Sequence, residues 1–200
     1  MNLSGITGII LAGGKSRRMG KEKGLIELNG KQLIQYAIEV LKPICETILI
    51  STNSNFYDFL SYQKIADEFP DSGPMGGIYS CLKASKTNQN LVLSCDMPFI
   101  NSQLLKELIE NSHEYDIVVP WHGEQRFEPM CAFYHKNVES TFLDFILQNN
   151  YKIPDAFERV KTYKYLISQD LPYFSNDLFF NVNSQEELFV LHGKLKSDHD

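Results

Sequence analysis

Residues 8–24 read GIILAGGKSRRMGKEKG, and they join an apolar run to a loop rich in glycine and basic side chains. The apolar residues predict a strand that ends at Gly13 and Gly14. Glycines at the end of a strand let backbone amides approach an anion closely. Residues 15–23 carry five of the nineteen basic residues of the chain and one acid, Glu22. A strand followed by such a loop indicates a local binding site for a polyphosphate.

Two common phosphate-binding patterns do not describe this loop. A Walker A loop needs a glycine five residues before Gly14, where the chain has Ile9, and the dinucleotide fingerprint GxGxxG is absent. On composition alone, one alternative stays open, namely a glycine turn beside a solvated basic surface.

Short apolar segments alternate with helical patterns along the rest of the chain. Strands are predicted at 7–11, 47–52, 64–66, 91–95, 116–120, 128–134 and 178–182. Helices are predicted at 31–42, 56–62, 76–85, 102–111 and 137–148, with a last helix that presents Leu188, Leu191 and Leu195. An irregular stretch is expected up to about residue 176. This alternation predicts an α/β fold, a single-domain three-layer sandwich with a mostly parallel central sheet. In such sheets ligands bind beyond the carboxyl ends of the strands.

Composition narrows the class of protein. The 200 residues fit one domain, and the 43% hydrophobic and 22% charged residues exclude a disordered chain. A formal net charge of −6 argues against a globally basic nucleic-acid surface. No apolar run approaches the roughly 20 residues of a membrane span, and the start lacks the basic region of a signal peptide. We therefore expect a cytoplasmic protein with neither nucleic acid nor membrane as a partner.

Neither the cysteines nor the histidines form a recognisable catalytic or metal-binding pattern. The four cysteines are scattered without a CxxC pair, which favours reduced cytosolic thiols over a disulfide framework. The five histidines show no HExxH spacing, and there is no GxSxG elbow, so hydrolase activity has little support.

Residues 11–24, LAGGKSRRMGKEKG, resemble the signature loop LAGGxSxRMGxxK of MobA-like nucleotidyltransferases, a family related to the molybdenum-cofactor guanylyltransferase. Every fixed position of that loop is present. The resemblance implies a Rossmann-like nucleotidyltransferase fold in a single domain, 1–200, with a nucleotide-binding half at about 1–100 and an acceptor-binding half at about 101–200. It also implies that the loop binds the nucleotide through Leu11, Ala12, Gly13 and Gly14 and holds its triphosphate through Arg18 and Lys23.

Two segments in the first half agree with the same family. DSGPMGGI, residues 71–78, resembles its second glycine segment GPLxGI, so Gly73 and Gly77 are expected to approach the base or ribose. Asp67 and Asn53 are expected further around the nucleotide, Asn53 only because of its place after the second predicted strand.

A carboxylate after the most apolar strand is the candidate metal ligand. Asp96 lies in SCDMPF, residues 94–99, at the CDxP position where the family binds magnesium. Magnesium prefers oxygen ligands, so Asp96 is expected to bind Mg²⁺ and to be catalytic together with Arg18 and Lys23. An Asp-initiated turn before Pro98 is the structural alternative.

The segment FFNVNSQEEL, residues 179–188, resembles the late family motif FxNxNTPEEL. The resemblance places Asn181 and Asn183 on the side of the pterin acceptor. Ser184, with Glu187 three residues on, is a helix N-cap. In the second half, Glu128 is interpreted as a structural carboxylate, whereas Arg126, Lys152 and Arg159 are interpreted as solvated surface charge.

The resemblance implies a reaction as well as a fold. GMP is transferred from GTP to the phosphate of molybdopterin, in its molybdenum-loaded form, with Mg²⁺ as cofactor and proteins of molybdenum-cofactor synthesis as further partners. Two alternatives stay open. One is a cytidylyltransferase acting on molybdopterin or on another sugar or alcohol phosphate, and the other is a nucleotide-binding regulator without turnover.

Overall fold

The computed structural model describes residues 5–13, 22–124, 126–183 and 187. Its strands are β1 (Ile6–Leu11), β2 (Glu27–Leu28), β3 (Lys31–Gln32), β4 (Thr47–Ser51), β5 (Gln63–Ile65), β6 (Gln89–Ser94), β7 (Ile117–Trp121), β8 (Cys131–His135) and β9 (Thr162–Leu166). Its helices are α1 (Leu33–Leu41), α2 (Gly73–Ala84), α3 (Ser102–Glu110), α4 (Val138–Leu147) and α5 (Ile153–Ala156), with a 3-10 turn at Lys23–Leu25.

One seven-stranded sheet runs through the described chain in the order β5-β4-β1-β6-β8-β7-β9. β8 is antiparallel to β6 and β7, while the other pairs are parallel. Residues 122–130 connect β7 directly to β8, and a direct connection between neighbouring strands without a crossover makes them antiparallel. The carboxyl ends of the six remaining strands consequently lie along one edge. The prediction of a mostly parallel α/β sheet is confirmed.

Helices cover both faces of this sheet. Because side chains alternate along a strand, Ile10 packs with α1 and α3 in one buried cluster, and Ile9 packs with α2 and α4 in the other. Both isoleucines are fully buried. The strands have apolar residues at successive positions for this reason, and the three-layer arrangement follows.

Helix α2 begins earlier than the pattern predicts, at Gly73 instead of residue 76. Pro74 fits its first turn, where the missing N–H has no intrahelical acceptor. Asp71 and Gly73 have positive φ angles of 68° and 60°, which turn the chain into the helix. The entry to α2 is thereby placed at the carboxyl edge of the sheet, next to the end of β5.

Two predicted elements are wrong. Residues 56–62 form turns and bends instead of a helix, and residues 178–182 form the end of a turn and irregular chain instead of a strand. Leu178 and Val182 are buried in two different apolar clusters, so the pattern LFFNV reflects packing and not strand pairing.

The strand that pairs with β7 at the edge of the sheet is β9. Both β9 and α5 lie in the stretch that was expected to be irregular. β9 escapes detection because its TYKYL sequence is half-exposed. The predicted last helix lies outside the described residues, apart from Glu187.

Within the described ranges, none of the helices combines the length and the apolar character that crossing a bilayer requires.

Candidate active site

Polar side chains and glycines gather at the carboxyl edge of the sheet, around a cavity of about 530 Å³. Six of the residues expected at the nucleotide line it: Leu11, Gly13, Asn53, Asp67, Gly73 and Gly77. They come from the ends of β1, β4 and β5 and from the first turns of α2. The size is typical of a small-molecule site.

Asp67 is held at this cavity by groups that follow β4. Its carboxylate accepts hydrogen bonds from Asn53 Nδ2 at 3.1 Å and from Ser51 Oγ at 3.4 Å. Its backbone N–H donates to Asn53 Oδ1 at 2.7 Å. Burial raises the pKa of the Asp67 carboxyl, and the two side-chain hydrogen bonds oppose that rise. Asn53 and Asp67 therefore form one rigid polar wall.

Gly77 leaves room for this wall. A Cβ built on Gly77 would lie 2.5 Å from Ser51 Oγ and 3.4 Å from Asp67 Oδ1. Real Cβ atoms essentially never approach another heavy atom within 3.0 Å. The second glycine segment is thus explained by the close approach of α2 to the end of β4.

The backbone after β1 is fixed by its two neighbouring strands. The Ala12 N–H donates to the Ser51 carbonyl at 3.0 Å, and the Leu11 carbonyl accepts from the Cys95 N–H at 3.1 Å. Ala12 is buried behind the cavity, whereas Gly13 lines it. The start of the basic loop is therefore rigidly placed, while Gly14 and Arg18 lie outside the described residues.

A second group of predicted residues meets beside the cavity. The Lys23 ammonium forms a salt bridge with Asp96 Oδ2 and donates to Asn183 Oδ1 at 2.6 Å. Asp96 is buried, and its other carboxylate oxygen accepts from Ser94 Oγ at 2.6 Å. Ser94 also lines the cavity, so it connects the two groups. Asp96 and Asn183 lie 73 and 160 positions after Lys23 in the sequence, and both contact its ammonium group.

The donor set around Lys23 suits a hard cation. A carboxylate oxygen and an amide oxygen point at one positive charge, and these are oxygen types that magnesium accepts. Among the described residues, no group of three or more His, Cys, Asp or Glu side chains could hold a metal. Magnesium commonly binds through one or two protein carboxylates, with substrate phosphates and water completing the shell. Asp96 fits that mode of binding.

The two asparagines differ in their surroundings. Asn183 is exposed. Its backbone N–H donates to Glu187 Oε2 at 2.5 Å, so the Glu187 carboxylate holds the backbone of Asn183. Asn181 Nδ2 donates to the Phe179 carbonyl at 3.3 Å, and its buried Oδ1 has no hydrogen-bond partner in the described chain. The segment is held to the chain just after β6, because the Val182 N–H donates to the Asp96 carbonyl at 2.9 Å. The predicted cap at Ser184 lies outside the described residues.

Sequence reasoning missed Ser51 and Ser94. Each is the last residue of a buried strand, whereas the sequence predicted a ligand site only at the residues that follow the strands. The signal that could have identified them is a polar residue at the end of an apolar run. Glu22 and Met130 also line the cavity, and no sequence pattern marked them.

Comparison with known proteins agrees with this geometry. Residues 8–159 match the family model of the MobA-like NTP transferase domain. A probable molybdenum cofactor guanylyltransferase from Flavobacterium johnsoniae is 37% identical over 183 residues, which cover 92% of this chain and 94% of that protein. The molybdenum cofactor guanylyltransferase of Vibrio vulnificus is also 37% identical, with 94% and 95% covered.

Solved structures share the fold. The molybdopterin-guanine dinucleotide biosynthesis protein A of Archaeoglobus fulgidus superposes with a TM-score of 0.80 at 25% identity, covering 96% of this chain and 99% of that chain. A 4-diphosphocytidyl-2C-methyl-D-erythritol synthase from Anaerococcus prevotii has a TM-score of 0.73 at 14% identity, covering 98% and 97%, and at that identity it shows the fold alone. With the family model covering most of its length, the chain belongs to the family of MobA-like NTP transferase domains.

Proposed function

We propose that this chain transfers GMP from GTP to the terminal phosphate of molybdopterin, in its molybdenum-loaded form. The products are molybdopterin guanine dinucleotide and pyrophosphate. The observation that carries the proposal is the convergence of Lys23, Asp96 and Asn183 beside a cavity of nucleotide size. The relatives that are 37% identical and named as guanylyltransferases support guanine as the base.

The reaction needs positioning and positive charge more than a proton acceptor. An oxygen of the acceptor phosphate attacks the α-phosphorus of GTP, and the bond from that phosphorus to the bridging oxygen breaks. Pyrophosphate leaves with the electron pair. The second pKa of a phosphate monoester is about 6, so the nucleophile is already ionised at neutral pH. Holding two polyanions together and stabilising the leaving group are the remaining tasks.

GTP would lie in the cavity at the carboxyl edge. We assign its phosphates to the backbone of Leu11, Ala12, Gly13 and Gly14 and to the cationic side chains of Arg18 and Lys23. The nucleoside would lie toward the polar wall of Asn53 and Asp67. Gly73 and Gly77 line the same cavity, and the absence of a side chain at Gly77 lets α2 lie against the end of β4.

Lys23 and Asp96 form the proposed catalytic pair. The Lys23 ammonium already lies between a carboxylate and an amide, and an incoming triphosphate offers it a stronger anionic partner. Asp96 and phosphate oxygens would hold Mg²⁺, and the ion would neutralise part of the phosphate charge. Asn181 and Asn183 are assigned to the acceptor, because Val182 between them donates its N–H to the Asp96 carbonyl and so holds both asparagines next to Asp96.

The cellular setting is part of the proposal. All four cysteines are free, and three are buried, as expected of a protein in a reducing compartment. We place the reaction in the cytoplasm and expect proteins of molybdenum-cofactor synthesis to deliver the acceptor.

The test measures pyrophosphate release from GTP, CTP or ATP with purified molybdopterin and Mg²⁺. We expect release with GTP, and for Asp96→Asn a loss of about 100-fold or more, because one charged group at the reacting phosphates is removed. Asp144→Asn, an exposed change on α4, is the matched control and should keep full activity. Melting curves establish that each variant is folded.

Three results would contradict parts of this proposal. A preference for CTP would favour the cytidylyltransferase alternative. GTP binding without pyrophosphate release would favour a regulator. Normal turnover by Asp96→Asn would remove Asp96 from the catalytic pair.

A further inference from the structure

Tyr57 is a fully buried tyrosine to which the proposed reaction assigns no task. It lies in the turns of residues 56–62, between Phe56 and Phe59, which are 57% and 60% exposed. Its ring packs in the same buried cluster as Ala12. Burial raises the pKa of the Tyr57 phenol, so the hydroxyl keeps its proton at neutral pH. A buried hydroxyl of this kind needs a hydrogen-bond partner within the protein.

The partner of this hydroxyl is the backbone at the start of the glycine-rich loop. The Tyr57 hydroxyl donates to the Ala12 carbonyl at 3.4 Å. The Ala12 carbonyl and the Gly13 N–H belong to one peptide group, and in a planar trans peptide these two groups point in opposite directions. Because the carbonyl is turned toward the buried phenol, the Gly13 N–H is turned away from it. Gly13 lines the cavity at the carboxyl edge, so Tyr57 fixes the direction of a backbone donor at that cavity.

The same hydroxyl lies against the backbone at the other end of the loop. A Cβ built on Gly24 would lie 2.7 Å from Tyr57 Oη, and 3.1 and 3.2 Å from two carbons of the ring. Gly24 is buried in the 3-10 turn Lys23–Leu25. The first residue of this turn carries the ammonium that forms the salt bridge with Asp96. The turn that presents Lys23 is therefore packed directly on the phenol.

We propose that Tyr57 is a positioning residue for the triphosphate, because its hydroxyl joins the two ends of the loop and so sets where Gly13 and Lys23 meet the phosphates. The hydroxyl itself touches no phosphate in this arrangement. A buried group that contacts both ends of a loop restricts the loop before the ligand arrives, which lowers the cost of binding. This inference rests on the proposed function for the identity of the ligand as a nucleoside triphosphate.

The alternative role for Tyr57 is to fill the core with its ring. The two roles are separable, because Tyr57→Phe keeps the ring and removes only the oxygen. A residue that only fills the core would leave ligand affinity unchanged in this variant. A residue that positions the loop would change the affinity for phosphates and leave the affinity for the nucleoside as it was.

The test measures three affinities by displacement of a fluorescent GTP analogue. The competitors are GTP, inorganic tripolyphosphate, which has no nucleoside, and guanosine, which has no phosphate. For Tyr57→Phe we expect the affinities for GTP and tripolyphosphate to fall about fivefold or more, because the Ala12 carbonyl loses its donor. The affinity for guanosine should not change. In turnover, the KM for GTP should rise by a similar factor, with the KM for molybdopterin unchanged.

Tyr134→Phe is the matched control. Tyr134 is also fully buried, and its hydroxyl donates to a backbone carbonyl outside the loop, that of Pro129, at 2.8 Å. Both variants should lower the melting temperature by about 2–4 °C, the effect of one lost hydrogen bond in a protein of this length. Only Tyr57→Phe should lose affinity for the two phosphate ligands.

Gly24→Ala tests the other end of the loop. Its Cβ would collide with Tyr57 Oη, so the affinity for GTP should fall when the hydroxyl is present. In the Tyr57→Phe background the nearest colliding atom is absent, and the additional loss should be smaller.

The outcomes separate this inference from the proposed function. Unchanged GTP and tripolyphosphate affinities in Tyr57→Phe would overturn the inference, and so would a loss of guanosine affinity of the same size. Equal losses from Gly24→Ala in both backgrounds would also overturn it, because the hydroxyl would then not contact the turn. Tyr57-dependent binding of triphosphate without GMP transfer to molybdopterin would support the inference and refute the proposed reaction. GMP transfer with a GTP affinity independent of the hydroxyl would do the reverse.

Discussion

Replacing Gly77 by alanine tests the packing that forms the cavity in which we propose that GTP binds. The new Cβ would lie 2.5 Å from the buried Ser51 Oγ, where ordinary contact begins at 3.4 Å. The serine oxygen must move away, and its 3.4 Å hydrogen bond to Asp67 is then lost. The other two contacts of the methyl group, at 3.4 Å to Asp67 Oδ1 and 3.6 Å to Leu11 Cδ2, need no adjustment.

The size of the effect follows from two opposing contributions. Inserting a methyl group into a packed site costs about 1–3 kcal/mol. Alanine gains up to about 1 kcal/mol over glycine within a helix. We expect a net loss of about 1–2 kcal/mol, which lowers the melting temperature of a protein this long by about 2–8 °C. GTP affinity should fall about tenfold, because Asp67 loses a partner.

A double-mutant cycle identifies the cause. Ser51→Ala alone should cost about 0.5–1.5 kcal/mol, the value of one hydrogen bond. In the Gly77→Ala background it removes the colliding oxygen, so the double variant should be more stable than Gly77→Ala alone, with a coupling of about 1–2 kcal/mol. Gly13→Ala, whose Cβ would meet nothing nearer than 3.7 Å, is the control for stability.

Thermal melts and calorimetric GTP titrations decide the matter. An unchanged melting temperature for Gly77→Ala would refute the close approach of α2 to β4. Strictly additive costs in the cycle would show that Ser51 is not the colliding group.

Two further predictions concern ionisation and helix capping. Because the pKa of Asp67 is raised above its ordinary value of 3.8, the folded chain keeps this proton to a higher pH than the unfolded chain does. The free energy of unfolding, measured by urea and compared with that of Asp67→Asn, should therefore fall as the pH rises from about 3.8 through the raised pKa. A difference between the two proteins that stays constant with pH would contradict this. Asn101 Oδ1 accepts from the Leu104 N–H at 3.0 Å at the start of α3, so Asn101→Ala should cost about 1 kcal/mol in the same assay, and no loss would show that the cap is dispensable.

The elements with strong local signals were predicted from the sequence. β1, β4 and β6 are continuous apolar runs, and they pair as neighbours in the centre of the sheet. Helix α3 has a regular apolar face and an asparagine cap. For β9 the local signal failed, because an edge strand exposes half of its side chains and pairs through backbone groups that any residue supplies.

The candidate site divides in the same way. The glycines and Lys23 of the first loop, together with Asp96, were predicted because these positions resemble the motifs of the family. Ser51 and Ser94 could not be named, because a serine at the end of a strand has no distinctive spacing. Glu128 was interpreted as structural, and only the structure shows its hydrogen bond with His122 Nε2 at 3.1 Å.

The sequence by itself determined that the chain is a layered α/β protein with a glycine-rich, basic loop after its first strand, because periodicity and residue type are local properties. Only the tertiary structure decided that Lys23 meets Asp96 and Asn183, and that β8 runs antiparallel to β6. Contacts across 73 and 160 residues depend on the order in which strands pair. That order depends on how helices pack on both faces of the sheet at the same time, and it cannot be read from any single segment of the chain.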